Sequence, residues 1–332
     1  MIKRIIIILT MIISCTSCIS YTELNDMGII NAIGIDKHSN EYLVSINMIV
    51  PNDNNKQDIK SFIVKDTNLD QAINKLYEKS LRRIYMSHID LLLLGDDLDK
   101  EDYDDIINLF LNRNDSRNTF STIIVQDFDI NKISNIVPKD INSLIKVNSE
   151  ETSIVRIKQF DEVIKDIFEL KSSLIPRIKI EGGLTLLGYK QVYSTNKNLS
   201  KEESLAYNFI TNNIKMVNIF NNDINFKVNS SITKIDINKN KIIINIYSSI
   251  NVVNNNDIKD KDKLKKIYKE KIKKMLDNYI NNNDLAYFYD LAKKYDYTYY
   301  KNSDKLDLNF EYKIEVSINN NSNTIGGKSY GE

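Results

Sequence analysis

The chain has 332 residues, which is enough for two or three domains of about 100–150 residues, each with its own hydrophobic core. Its 45 basic and 45 acidic side chains cancel, so no strong electrostatic field favours binding to nucleic acid. The 9 glycines and 3 prolines leave little material for glycine-rich phosphate loops, and a single zinc site would need nearly all of the two histidines and two cysteines.

The N-terminus has the pattern of a secretory signal peptide. Lys3 and Arg4 precede an apolar run over residues 5–13, and small polar residues follow it. The run is about half of the roughly 20 residues that span a bilayer, so the pattern favours a cleaved leader over a transmembrane helix. The two cysteines, Cys15 and Cys18, each come directly after a small residue, where a bacterial lipoprotein accepts its diacylglyceryl group.

Local sequence leaves the choice between the two cysteines open. Ile12 stands three residues before Cys15, which suits the signal peptidase, whereas Cys15 itself stands three residues before Cys18. The C-x-x-C spacing also matches a redox pair, but such pairs open a helix inside a βαβ unit, and here an apolar leader precedes them. We therefore interpret one of the two thiols as a lipid-attachment site.

Residues 29–125 predict alternating strands and helices. The buried run 29–35 and the alternation of apolar residues over 42–50 indicate a hairpin, and four consecutive leucines at 91–94 indicate a strand buried on both faces of a sheet. The other predicted elements are a strand over 61–66, a helix that has Thr67 as its N-cap and extends beyond Leu81, a helix at about 103–112 and a strand over 120–125.

The second half of the chain predicts further mixed α/β structure. Residues 129–150 are polar and irregular, and they form the first expected domain boundary. The basic face of the segment 261–280 fits either a membrane-surface helix or, since the whole chain is balanced in charge, the solvated face of a domain helix. Alternation over 306–318 indicates a half-buried antiparallel strand. The other predicted elements are a helix over 160–170, a strand pair around Gly182-Gly183, a helix that starts at the capping box of Ser200 and Glu203, a hairpin joined at 238–240 and a helix over 285–297.

The sequence contains no recognisable catalytic or metal-binding motif. It has no nucleophile elbow, no H-E-x-x-H, no P-loop and no G-x-G-x-x-G, so we predict no catalytic residue, no metal site and no cofactor. The acidic run over 95–106 lacks the glycine and the ligand order of a calcium loop, and we interpret it as a solvated helix start. His38 is expected on the surface, and His88, at a strand start, is expected to make a structural hydrogen bond.

Short motifs follow one another along the chain in a fixed order. Cys18 stands five residues before Glu23, a strand then ends in Gly-Ile-Asp, and two arginines precede the strand over 120–125. The positions that define this order are Cys18, Glu23, Leu24, Asn25, Gly34, Asp36, His88, Gly95, Arg113 and Arg117.

This order resembles the Ger(x)C family, the C subunits of bacterial spore germinant receptors. In that family a lipidated cysteine precedes Glu-Leu-Asn at a similar distance, so the resemblance implies that Cys18, rather than Cys15, is the lipid site. It implies structural roles for the other motif positions. Ile19-Ser20 replace the family's Trp-Asp, which indicates a divergent member.

The resemblance also implies three successive domains, in agreement with the breaks near residues 130 and 215. We therefore predict an α+β fold in which each domain is a small sheet with packed helices. The predicted segments are a signal peptide over 1–17, an N-terminal domain over 18–130, a middle domain over 131–215, a C-terminal domain over 216–320 and a flexible tail over 321–332.

The function that the resemblance implies is that of a lipid-anchored, non-enzymatic subunit at the outer face of the spore inner membrane. Its expected partners are the membrane itself and the two polytopic receptor subunits, A and B, which it would stabilise. One alternative is a solute-binding lipoprotein that captures the germinant itself, a function that the 19 tyrosines allow and the three-part organisation disfavours. A surface hydrolase is the other alternative, and the lack of a nucleophile motif argues against it.

Overall fold

A computed structural model of the chain describes residues 27–51, 57–113, 115–133, 137–222, 224–238, 241–253, 260–283, 285–295 and 308–319. Several predictions from the sequence lie outside these residues, and the structure does not test them. They concern the signal peptide over 1–17, Cys15, Cys18, Glu23, Leu24, Asn25 and the tail over 321–332.

The first sheet has nine described strands in the order β3-β2-β1-β5-β6-β7-β8-β9, with β4 paired to β1 beside β5. Strands β1, β5, β6 and β7 run parallel, whereas β2 and β3 on one side and β8 and β9 on the other are antiparallel to their neighbours. The strands are β1 (Met27–His38), β2 (Glu41–Pro51), β3 (Gln57–Asp66), β4 (Arg83–Tyr85), β5 (Leu91–Gly95), β6 (Ser121–Gln126), β7 (Ser172–Ile180), β8 (Leu184–Tyr193) and β9 (Lys197–Asn198).

The β1–β2 hairpin and the leucine strand confirm two predictions. Ser39 and Asn40 both have positive φ, as a two-residue hairpin turn requires, and they place Lys37 opposite Tyr42. In β5 all four leucines are buried. Alternate leucines join two different hydrophobic clusters, one on each face of the sheet, because successive side chains of a strand point to opposite faces.

The helices of the first two thirds of the chain pack on both faces of this sheet. The first of them, α1, begins and ends at other residues than the sequence predicts. The N-cap of α1 is Asn68 rather than Thr67, since the Asn68 side chain accepts the backbone N–H of Gln71. The same helix ends at Lys79, and Leu81 is fully exposed beyond it. The helices are α1 (Leu69–Lys79), α2 (Lys100–Leu111), α3 (Ile130–Ile133), α4 (Pro138–Glu151), α5 (Phe160–Leu170) and α6 (Lys201–Ile210).

The prediction that residues 129–150 are irregular is wrong, because α3 and α4 lie within them. Pro138 begins α4, where a missing N–H costs nothing, and only a few apolar side chains hold the helix to the sheet, among them the buried Ile141 and Ile145. The first sheet also continues past this segment, since β6 pairs with β7. The division into three domains therefore stays a prediction, with one sheet extending across its first boundary.

A second, four-stranded sheet follows in the order β10-β11-β12-β13. The last strand pairs with β12 in parallel, so the prediction of an antiparallel strand is wrong. Two helices, α7 and α8, separate β12 from β13, and such a crossover returns the chain in the direction of β12. The buried face of α7 packs on this sheet, with the rings of Phe226 and Tyr268 edge to face at 5.6 Å. The elements are β10 (Val217–Asn221), β11 (Ile224–Asn238), β12 (Lys241–Val253), α7 (Lys261–Asn282), α8 (Ala286–Tyr295) and β13 (Asn309–Ile318).

Candidate functional site

Two of the predicted motif positions meet where the parallel strands β1 and β5 end. Ile35 of β1 pairs with Leu94 of β5, so Asp36 and Gly95 lie side by side. Asp36 is 2% exposed, and a Cβ atom at position 95 would lie 1.8 Å from its Oδ1. Only glycine leaves room for the buried carboxylate, which explains why the two residues occur together.

Among the described residues, the side chain that pairs with Asp36 is that of His38, a surface residue that is charged only when protonated. The Nε2 of His38 lies 2.7 Å from Asp36 Oδ2, and the His38 side chain is 62% exposed. Burial raises the pKa of Asp36, and the nearby carboxylates of Asp97 and Asp102 add to this, whereas the Lys37 backbone N–H and His38 act against it. The net result is a pKa of Asp36 above the ordinary value for an aspartate.

Asp96, the next residue after Gly95, forms a different kind of contact. Arg177 of β7 binds it through two hydrogen bonds, Nε to Oδ1 at 3.0 Å and Nη2 to Oδ2 at 2.7 Å. Lys190 of β8 donates to Oδ1 at 2.9 Å and also to the Asp96 carbonyl. Burial opposes ionisation, but the two cations outweigh it and hold the pKa of Asp96 below its usual value.

A third set of polar contacts fixes the start of α2. Asp102 forms a capping box with Asp99, and its carboxylate also accepts the Lys37 ammonium at 2.5 Å and the Tyr42 hydroxyl at 2.9 Å. Tyr42 donates to Asp105 as well, at 2.7 Å. Burial raises the pKa of Asp102, but the hydrogen bonds from Lys37 and the other donors lower it by more. The net pKa of Asp102 is therefore below the usual value.

These contacts correct the interpretation of the acidic run over 95–106 as a solvated helix start. Asp102 is 2% exposed, and Asp96 is half-buried in an ion pair. The run is a set of attachment points: Asp96 fixes the end of β5 to β7 and β8, and Asp102 fixes α2 to the β1–β2 hairpin. We call Asp36, Asp96, Asp102, Lys37, Arg177 and Lys190 the ionic cluster.

The contacts of the ionic cluster are structural, because they fix strands and helices to one another. Its carboxylates accept hydrogen bonds from lysine, arginine, tyrosine and backbone donors, and no hydroxyl or thiol among these contacts has a histidine base beside it, as nucleophilic catalysis would require. Among the described residues, no group of three or more histidine, cysteine or acidic side chains is arranged to hold a metal ion.

Comparisons with known proteins identify the family. Residues 20–180 match the family model described as the spore germination protein N-terminal domain. Spore germination protein KC of Bacillus subtilis (strain 168) is 24% identical over 222 residues, which are 60% of this chain and 52% of that protein, so the chain spans about half the length of this curated relative. The crystal structure of the GerBC protein shares the fold with a TM-score of 0.52 at 17% identity, over 87% of this chain and 97% of the other.

Together, the family model and these two relatives support a protein of the Ger(x)C family. This confirms the resemblance seen in the order of the motifs and supports a role in spore germination. The predicted α+β fold class is confirmed by the likeness to GerBC. No helix within the described ranges combines the length and the apolar character needed to cross a bilayer.

The structure divides the described Ger(x)C motif positions between the two ends of the first sheet. Asp36 and Gly95 meet at the carboxyl ends of β1 and β5, and Gly34 lies buried in β1 between Ser45 and Leu93. The remaining positions precede β5 and β6 and therefore lie at the opposite end, because those strands are parallel. These positions are His88, Arg113 and Arg117.

At that opposite end the positions have different surroundings. Arg113 joins the end of α2 to α1: it donates to the Tyr77 hydroxyl, lies over the Tyr77 ring at 5.5 Å and pairs with Asp115 at 3.2 Å. His88 is exposed, with its ring 5.7 Å from that of Tyr85, and Arg117 is exposed in the segment before β6. The arginine pair is thus one structural residue and one surface residue.

Sequence reasoning missed most of the ionic cluster. Lys190 and Arg177 lie 94 and 81 residues from Asp96 in the chain, so no local pattern joins them. The available signal was weak: Lys190 is the one charged residue of strand β8, and a buried lysine needs an anion. The order of the strands in the sheet decides that this anion is Asp96.

Proposed function

We propose that the chain is the lipid-anchored C subunit of a nutrient germinant receptor, attached through Cys18 at the outer face of the spore inner membrane. The observation that carries this proposal is the match of residues 20–180 to the N-terminal domain of spore germination proteins, which begins two positions after Cys18. A diacylglyceryl group provides two acyl chains, and two chains anchor a protein stably where one holds it only marginally.

We further propose that the role of the chain in the receptor is to bind and stabilise the two polytopic subunits, A and B, without catalysis. The ionic cluster supports this role because its charges are used to fix strands and helices to one another. A subunit whose elements are fixed in this way presents a preorganised surface, and preorganisation lowers the entropy lost when partners bind.

The anchor is tested with two cysteine variants expressed in spores that lack the native chain. For Cys18→Ala, we expect loss of the protein from the inner-membrane fraction and slower germination. Cys15→Ala is the matched control, since cleavage before Cys18 removes residue 15, and it should fractionate like the wild type. Intact mass of the purified N-terminal lipopeptide identifies the acylated residue.

Other outcomes of the same experiment would change the proposal. If Cys15→Ala is lost from the membrane and Cys18→Ala is retained, Cys15 is the lipid site. If both variants stay in the membrane fraction with normal germination, the lipid anchor is not what holds the chain.

The role in stabilising A and B is tested by measuring the amounts of these subunits in spores. Removing the chain should lower both subunits, and reintroducing the wild-type chain should restore them and co-purify with them after mild detergent extraction. Unchanged levels of A and B without the chain, together with no co-purification, would contradict the proposal.

Capture of a germinant by this chain is the competing function, and it is tested by equilibrium dialysis. The mature chain, free of A and B, is dialysed against labelled amino acids and bile salts. We expect no saturable binding. Specific binding of one of these solutes would replace the stabilising role with a solute-binding one.

A further inference from the structure

The two sheets differ in how their outer strands are protected. In β3, at the edge of the first sheet, the carbonyls of the alternate residues Ile63 and Lys65 accept hydrogen bonds from Lys79 at 3.2 Å and Lys75 at 3.1 Å. Lysines over an edge strand prevent another chain from pairing with it. The first sheet is therefore closed to strand addition along β3.

The strand β10, at the edge of the second sheet, has no such protection among the described residues. It pairs with β11 on one side and is the last strand of its sheet on the other. Just before it, Ser153 Oγ accepts the backbone N–H of Lys215 at 2.9 Å and that of Met216 at 3.2 Å. These hydrogen bonds from the chain to Ser153 therefore end at Met216, directly before the first residue of β10.

A cleft of about 360 Å³ is bordered by β10, α6 and α7. Four successive residues of the strand, 217–220, line it. Because successive side chains of a strand point to opposite faces, four residues in a row that border one cleft indicate that the cleft lies against the backbone edge. The unpaired N–H and C=O groups of alternate β10 residues therefore face the cleft, which we call the β10 cleft.

The β10 cleft has an apolar floor and a positive rim. Leu205 of α6 and Met275 of α7 are both buried and form part of the floor. At the rim, Lys271 pairs with Glu202 at 2.8 Å, which leaves Lys201 as the unmatched charge of the described lining residues. Phe220 borders the cleft and is 62% exposed, an unusual position for a phenylalanine, and no described residue covers it.

We propose that the β10 cleft binds an extended segment of a partner protein by strand addition. The segment pairs its backbone with the outer edge of β10, places an apolar side chain on the floor formed by Leu205 and Met275, and carries an acidic residue that faces Lys201. Backbone pairing supplies affinity in this mode, while a pocket for alternate side chains and a charge supply specificity. The cleft is at the small end of the 300–1,000 Å³ typical of ligand pockets, which suits one or two side chains.

The proposal is tested by hydrogen exchange on the mature chain with synthetic peptides. The probes are eight-residue peptides of alternating valine and threonine, with two aspartates at either the first or the last positions. We expect saturable binding and slower amide exchange in 217–221, because a paired strand protects the outward amides. N-methylation of alternate peptide residues should abolish both effects, since it removes the donors that pair with β10.

Two charge variants complete the test. Lys201→Glu should weaken binding of the aspartate peptides by about tenfold at low salt. Lys139→Glu, the matched control at the exposed first turn of α4, should bind like the wild type. Both variants change only exposed side chains, so both should fold normally.

Three results would overturn the proposal. The first is that no peptide slows exchange in 217–221. The second is peptide binding that survives N-methylation with β10 exchange unchanged, which would make the cleft a small-ligand pocket. The third is protection of β10 in the chain alone that increases with its concentration, which would make the occupant a second copy. None of these readouts requires the A and B subunits, so the result does not depend on the proposed receptor function.

Discussion

Asp36, which is buried, and Asp96, which is half-buried, lie at one end of the first sheet, and the structure gives their carboxylates opposite properties. Asp96 lies between Arg177 and Lys190, both on strands across the sheet, and its pKa is lowered. Within the described part of the chain, Asp36 pairs with the exposed His38, which is positive only when protonated, and the pKa of Asp36 is raised. Burial acts in the same direction on both, so the difference comes from the number and burial of the cations that face each group.

The comparison implies that one carboxylate holds the sheet together at neutral pH while the other weakens it. A group with a lowered folded-state pKa stabilises the fold above its unfolded pKa, and this contribution disappears as pH falls through the folded pKa. A group with a raised folded-state pKa contributes most below its unfolded pKa, and this contribution disappears as pH rises through the folded pKa. Asp96 has the lowered pKa and stabilises the fold at neutral pH, whereas Asp36 has the raised pKa and contributes most at low pH.

The largest expected effect is that of Asp96→Asn. It leaves the side chains of Arg177 and Lys190, which are 13% and 5% exposed, without their anion, and breaking such a buried pair costs about 3–5 kcal/mol. Urea unfolding at pH 7 measures the loss. Asp97→Asn, at the exposed neighbouring residue, should change the free energy of unfolding by less than about 0.5 kcal/mol.

A double variant separates charge from packing in this prediction. Asp96→Asn combined with Lys190→Met removes one of the two unpaired cations and should recover part of the loss. Equal stability of Asp96→Asn and Asp97→Asn would show that the contact between Asp96 and its two cations contributes nothing to the fold.

The second effect is that of Gly95→Ala. The new Cβ atom would lie 1.8 Å from Asp36 Oδ1, so β1 and β5 must shift, at a cost of about 1–3 kcal/mol. Asp36→Ala should remove most of the cost of Gly95→Ala, because the contacts at 1.8 and 2.4 Å disappear and only the 3.1 Å contact with the Cβ of residue 36 remains. A double-mutant cycle by urea unfolding measures this coupling, and additive effects of the two substitutions would contradict the direct contact.

The third prediction concerns the pH dependence that Asp36 causes. Its raised pKa means that the wild type gains stability relative to Asp36→Asn as pH falls from 7 towards 4, and that Asp36→Asn costs no more than about 1 kcal/mol at pH 7. Unfolding curves of both proteins across this range provide the test. For Asp96→Asn the difference must run the other way, since the wild type loses its advantage at low pH.

The smallest effect is expected for His38→Ala. The histidine side chain is largely exposed, and exposed ion pairs contribute about 0–1 kcal/mol. Its absence should raise the pKa of Asp36 further, because an opposing positive charge is lost, and carboxyl NMR titration measures this directly. A fall in the Asp36 pKa would show that His38 does not stabilise the ionised carboxylate.

Local signals in the sequence were sufficient wherever short-range physics decides. The four leucines predict a strand buried on both faces, the capping box of Ser200 and Glu203 starts α6 as expected, and β11 and β12, the strands on either side of the predicted turn, pair as a hairpin. The spacing of the motifs was also sufficient to indicate the family. The strand, the helix start and the hairpin each depend on residues close together in the chain, where periodicity and capping are visible directly.

Only the tertiary structure decided the features that depend on distant residues. Helix α4 has few apolar side chains, and packing of Ile141 and Ile145 fixes it, so residues 129–150 appear irregular in sequence. Alternation along β13 shows that one face is buried but not which way its neighbour runs, and the crossover through α7 and α8 makes the pair parallel. The meeting of Asp36 with Gly95, and of Asp96 with Arg177 and Lys190, follows from strand order, a property of the whole sheet that no local pattern encodes.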